Sequence, residues 1–232
     1  MSPENPDAGR RIDRWIESTK WPIAAISAIL SPLIVHAIGL WMRRFWDYPV
    51  YTVMFALGAT VVLILCRTPL VRQPIVRELI RMERQSTHFL LSLIALRPLG
   101  RILFPKSPPE RWLSRGNWLS LSSPFFLPLA SIFLWFATWF ILPASLRSFI
   151  VGFGVAYHIA SVLFQWKHGT SEMRQLGNQF CMLFLIPANL MVIGTGYAFA
   201  LNGFHGLAQF FHDVLHPLAA AWQMISALFA AK

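Results

Sequence analysis

The sequence predicts an all-α fold: a polytopic helical membrane protein with about five to six transmembrane helices plus an amphipathic or re-entrant helix. Three observations carry that expectation. Apolar runs at 21–41, 50–66, 118–142, 149–166 and 180–201 approach or exceed the roughly 17 to 25 residues that cross a hydrocarbon core. The 232 residues are 56% apolar and only 13% charged, far from the mix of a soluble domain. The basic residues, which give a net charge of +10, are also unevenly placed along the chain.

Residues 1–20 form a polar tail that becomes helix-like near Asp7, and 21–66 carries two spans. The run at 21–41 is too long for a secretory signal and lacks a small-residue cleavage pattern, so it is expected to remain as the first helix. Between 67 and 117 apolar residues interleave with arginines, which suits an amphipathic or re-entrant helix over 74–96 followed by a Pro- and Gly-punctuated loop. Three spans follow at 118–201. The stretch 202–232 has only about fifteen continuous apolar residues after His216, which favours a surface-lying helix kinked near Pro217 over a sixth span.

Ten of the twenty lysines and arginines fall at 67–115. With that loop on the cytoplasmic side, Arg10, Arg11, Arg14, Lys20, Lys167 and Arg174 share it, and a five-span count leaves Arg43, Arg44, Arg147 and Lys232 opposite. The basic charge is therefore topological and argues against a nucleic-acid partner. It places the chain in a cytoplasmic (inner) membrane, with the N-terminus and basic loop cytoplasmic, in contact with the lipid bilayer and with other membrane protein subunits. Cys66 and Cys181, in or beside apolar runs, are expected as free thiols.

The stretch "RMERQSTHFLLSL" at 81–93 bears on chemistry. A helical zinc peptidase needs two histidines four residues apart on one face, with a glutamate beside the first to activate bound water. The segment resembles the "HELTHAL" helix of M50-like (site-2-type) integral membrane metallopeptidases, with Thr87 and His88 at its Thr-His. "RGNWLSLSSPFFLPL" (115–129) and "GVAYHIASVLFQWKHGTSEMRQLGNQF" (154–180) are similar to two further stretches of that family. The likeness aligns Tyr157, His158 and Gly177 directly and implies Glu172 as the third-ligand position. Arg84 then stands for the first histidine and Gln85 for the glutamate. A guanidinium repels a divalent cation and a neutral amide accepts no proton from water. The resemblance thus implies a degenerate member with a remnant pocket of Arg84, Gln85, His88, His158 and Glu172, no catalytic residue and no cofactor. Arg84 would pair there with Glu172 or Glu83.

"HDVLH" offers another pattern, with His212 and His216 four residues apart, Asp213 between them and His205 seven residues earlier. An interfacial helix whose polar face carries histidines explains it as well. Under the metal reading these residues, or a rebuilt site around His88, His158 and Glu172, would bind zinc and make the chain a membrane hydrolase. Gly152, Ala156 and Ala160 form a small-residue stripe for close helix packing, and Asn189 with "GTG" at 194–196 suggests interhelical hydrogen bonding. Carboxylates are too sparse for a clear ion pathway, so a small transport component ranks last. The expected protein is a non-catalytic pseudo-metalloprotease, a structural, assembly or regulatory subunit of a larger membrane complex.

Overall fold

The computed structural model describes residues 7–67 and 118–230, together with Glu78, Arg81, Gln85 and Thr87. No strand occurs among the described residues. The helices are α1 (Asp7–Trp46), α2 (Pro49–Arg67), α3 (Trp118–Phe126), α4 (Leu129–Ile141), α5 (Ala144–His168), α6 (Ser171–Leu176) and α7 (Asn178–Phe180), the last passing through a π-helical turn (Cys181–Leu185) into α8 (Ile186–Ala230). Four stretches are long and apolar enough to cross a bilayer: Arg14–Trp46, Pro49–Arg67, Ala144–Lys167 and Asn178–Met224. The chain is a helical membrane protein. Many large apolar side chains face outward, as they do where the solvent is lipid, among them Ile29, Leu63, Phe133, Phe140 and Trp222.

Helix α1 continues unbroken from the polar segment into the first apolar run. It ends at a short turn in which the Asp47 and Tyr48 N–H groups donate to the Arg44 and Phe45 carbonyls, at 3.2 and 3.1 Å. Pro49 then opens α2, a position where its missing N–H costs nothing. Two glycines bring α2 against α5 backbone to backbone. A Cβ on Gly58 would collide with the Phe149 carbonyl, and one on Gly152 with the Phe55 carbonyl. The two contacts run in opposite chain directions, so the pair is antiparallel. Helix α4 lies along another side of α5, where the Ser131 hydroxyl donates to the Gly154 carbonyl at 3.0 Å.

The apolar run at 118–142 is two helices, not one continuous helix. Leu127 and Pro128 lie outside both, because proline offers no N–H to continue the ladder, and the Leu129 N–H donates to the Leu127 carbonyl at 2.9 Å instead. The break frees the Phe125 carbonyl, which accepts from the Asn189 amide at 2.9 Å across the helix interface. That is the interhelical role expected of Asn189. Near the start of α1, the Trp118 indole donates to the Ile16 carbonyl and docks α3 there.

The C-terminal stretch, expected as a surface-lying helix kinked near Pro217 or else a sixth span, folds back along the helix before it. The reversal occurs at Gly203, whose φ of 58° and ψ of −133° interrupt α8. Gly206 then lies against the Ala198 carbonyl and Gly194 against the Phe210 ring. In a straight helix those partners would be about 12 and 24 Å apart. A positive φ favours glycine, and the Trp139 ring fills the space that a Cβ at 203 would need. Pro217 remains inside the returning arm.

The main core joins Ile34, Trp41 and Phe45 of α1 to Phe55, Trp135, Val151, Val155, Phe199 and Phe210. A second cluster around Trp118, Phe180, Phe184 and Leu185 closes the opposite end of the bundle.

Candidate functional site

Two features stand out where α1 meets the two arms of α8. The first is a polar tie in an apolar setting. Asp213, its side chain 13% exposed, accepts from the Arg44 guanidinium at 2.9 Å and from the Trp41 indole N–H at 3.1 Å. Arg44 also lies over the Trp41 ring, 4.8 Å from its centroid. A carboxylate in an apolar environment is costly unless its charge is met, and here a cation and an indole dipole both meet it. The three groups pin the end of α1 to the returning arm.

The second feature is a cleft of about 620 Å³. Leu30 and Ile34 of α1 form one wall, Ile132 and Trp135 of α4 another, and the two arms of α8 complete it through Val192 and Val214. Ser27 and Thr195 are the hydroxyl-bearing residues that line it. The Thr195 hydroxyl already donates to the Met191 and Val192 carbonyls of its own helix, at 2.8 and 3.0 Å. No acid, base or cation lines the cleft among the described residues. Such walls can hold hydrocarbon.

The residues singled out in the sequence fall only in part among the described residues. Arg84 and His88 lie outside the described residues, as do Glu83 and the loop at 88–117. Gln85 is helical and exposed, whereas Thr87, two residues on, is fully buried. Arg81 pairs with Glu78 at 3.4 Å on the exposed side of the same segment. His158 is fully buried in α5, ten residues or about 15 Å before that helix ends, while Glu172 stands half-buried in the first turn of α6.

In the returning arm, His205, His212 and His216 are exposed. The rings of His212 and His216 lie 5.4 Å apart, and the His212 Nδ1 is 3.8 Å from Asp213. Among the described residues, no group of three or more His, Cys, Asp or Glu side chains is arranged to hold a metal ion. Gly152 packs on α2, while Ala156 and Ala160 are half-buried. Cys66 and Cys181 are both free thiols. Of "GTG", Gly194 receives Phe210 and Gly196 receives Val155, so both glycines serve packing.

Sequence reasoning missed Arg44, Trp41 and Gly58. A signal for the first existed: Asp213 is the sole acidic residue from 173 to 232, and an intramembrane carboxylate requires a donor from another helix. Gly58 sits in an ordinary apolar run, where nothing marks it as the counterpart of Gly152.

Comparison with known proteins finds no matching family model, no matching curated protein and no matching solved structure.

Proposed function

We propose that this chain is a non-catalytic structural, assembly or regulatory subunit of a larger membrane complex, built on a scaffold resembling that of M50-like peptidases. The observation that carries the reading is the commitment of Asp213. The returning arm's only carboxylate is engaged by Arg44 and Trp41, which spends it on holding helices together. In the metal-hydrolase alternative it would have to face His205, His212 and His216 as base or ligand. Arg84 and Gln85, at the ligand and base positions of the resembling motif, support the same conclusion.

The reversal at Gly203 favours six crossings: α1, α2, the broken α3–α4 pair, α5 and the two arms of α8. With the N-terminus cytoplasmic, the C-terminus and Lys232 move to the cytoplasmic side. Arg43, Arg44 and Arg147 then remain opposite, two of them engaged within the fold, Arg44 with Asp213 and Arg147 stacked 3.8 Å from the Trp139 ring centre. This extends the charge asymmetry expected of an inner-membrane protein.

Purification of the full chain from its native membrane in a mild detergent, with mass spectrometry and elemental analysis of the same sample, tests the proposal. A stoichiometric protein partner without stoichiometric zinc is the expected result. A homogeneous monomer carrying one zinc per chain would overturn it in favour of the hydrolase.

A further inference from the structure

The cleft between α1, α4 and the arms of α8 has walls that suit a hydrocarbon occupant. They follow the chain from Phe184 in the π-helical turn to Phe199 of α8, fifteen residues or about 22 Å of helix. Apolar walls of that length match an extended acyl chain. Phe136, Phe211 and Leu215 line the cleft and are partly exposed, so it opens sideways to the lipid.

Hydrocarbon leaving the bilayer for an apolar cleft gains nothing from the hydrophobic effect, so selectivity must come from a polar end group. Among the described residues, Lys20 offers a charged contact at that end. Lys20 of α1 lies 5.2 Å over the centre of the Phe180 ring, and Phe180 stacks on Phe184, which lines the cleft, at 5.2 Å. Along α1, Lys20 precedes the lining residue Ser27 by two helical turns, about 10 Å. Its side chain is 13% exposed, and the Glu17 carboxylate is 3.6 Å away and half-exposed. A looser pair than Arg44 with Asp213, it leaves the ammonium able to meet a phosphate.

We propose that the cleft is a binding site for an anionic phospholipid, one acyl chain lying along α8 and the phosphate contacting Lys20. The ligand class is a diacyl lipid with a net negative headgroup, drawn from the leaflet on the side of the N-terminus of α1. Neither the peptidase resemblance nor the subunit reading requires this site, and the lipid inference stands or falls without them.

The test uses the full chain in vesicles of phosphatidylcholine doped with a photoactivatable lipid carrying its reactive group in the acyl chain, either phosphatidylglycerol or phosphatidylcholine. Labelled peptides are mapped by mass spectrometry, with the outward face of α2 as the reference for ordinary lipid contact. The expected result is labelling at 184–199 with about fivefold preference for phosphatidylglycerol, the factor corresponding to ~1 kcal/mol for one basic residue near an anionic lipid. Lys20→Gln should abolish that preference and keep the labelling. Val192→Phe should remove labelling from the cleft and leave that of α2 unchanged. Retention of the wild-type elution volume and thermal midpoint by both variants ensures that lost labelling is not lost folding.

Cleft labelling no greater than that of α2, or insensitive to Val192→Phe, overturns the site. A preference that survives Lys20→Gln, or a neutral isoprenoid or quinone recovered from the native protein in place of phospholipid, overturns the proposed ligand.

Discussion

The two sides of α5 are built on opposite principles. Toward α2, Gly58 and Gly152 remove side chains from the crossing, so backbone meets backbone and the interface has no room to adjust. Beyond the far side, α1, α4 and the arms of α8 are held apart by Trp135, Phe184, Phe199 and Phe211, and the 620 Å³ cleft remains between them. Small residues give van der Waals closeness, the main attraction available between helices in lipid. Large aromatics bury area but cannot tile a space among four helices completely. The open side compensates with polar ties: Asp213 with Arg44 and Trp41, and Asn189 with the Phe125 carbonyl.

The comparison can be broken most severely at its tight side. Gly58→Leu places a side chain against the α5 backbone, which cannot give as a flexible side chain would. The loss should be about 3 kcal/mol or more, at or beyond the upper end for overpacking. Denaturation in mixed micelles should find little folded protein; near-normal stability would mean that α2 and α5 are not in contact there.

Next in size is the reversal at Gly203. Gly203→Ala must adopt a positive φ and press on Trp139, a cost of about 2 kcal/mol. Paired cysteines at Gly194 and Phe210 should be bridged by a short bifunctional thiol reagent, which could not span about 24 Å of straight helix, and failure to bridge would remove the folded-back arm. Smaller still is Asn189→Ala. It leaves the Phe125 carbonyl without that donor and should lower stability by about 1 kcal/mol, read as a shift in the unfolding midpoint. The smallest effect belongs to the open side. Val192 is buried but lines the cleft, so Val192→Phe has space to fill and should cost less than about 1 kcal/mol, below the usual range for added core volume. A loss as large as that of Gly58→Leu would mean that the cleft is not open.

What the sequence made legible was whatever follows from chain-local chemistry. Apolar runs of spanning length located α1, α2, α5 and the first arm of α8, and proline and glycine marked places where helices break without ranking them. Pro128 splits a span, whereas Pro22, Pro32 and Pro217 are tolerated inside helices. The decisive reversal came from a glycine in an unremarkable "LNGFHG". Whether a given glycine turns the chain depends on what packs over it, here Trp139, some sixty residues earlier.

The candidate site was legible only in part. Asp213 drew notice for its histidine neighbours four residues apart, which is a local pattern. Its actual partners lie about 170 residues away on α1, and pairing across that separation is a property of the tertiary fold. The cleft has no sequence signature either, since its residues read individually as ordinary apolar core.

The most direct test of the account is a double-mutant cycle on Arg44 and Asp213, with unfolding free energies for the wild type, Arg44→Ala, Asp213→Ala and the double variant in one detergent system. A carboxylate that holds α1 to the returning arm predicts a coupling of about 1 to 2 kcal/mol, allowing for the partial exposure of Arg44. Single losses that add to within about 0.5 kcal/mol would contradict it, because independent residues do not share a bond.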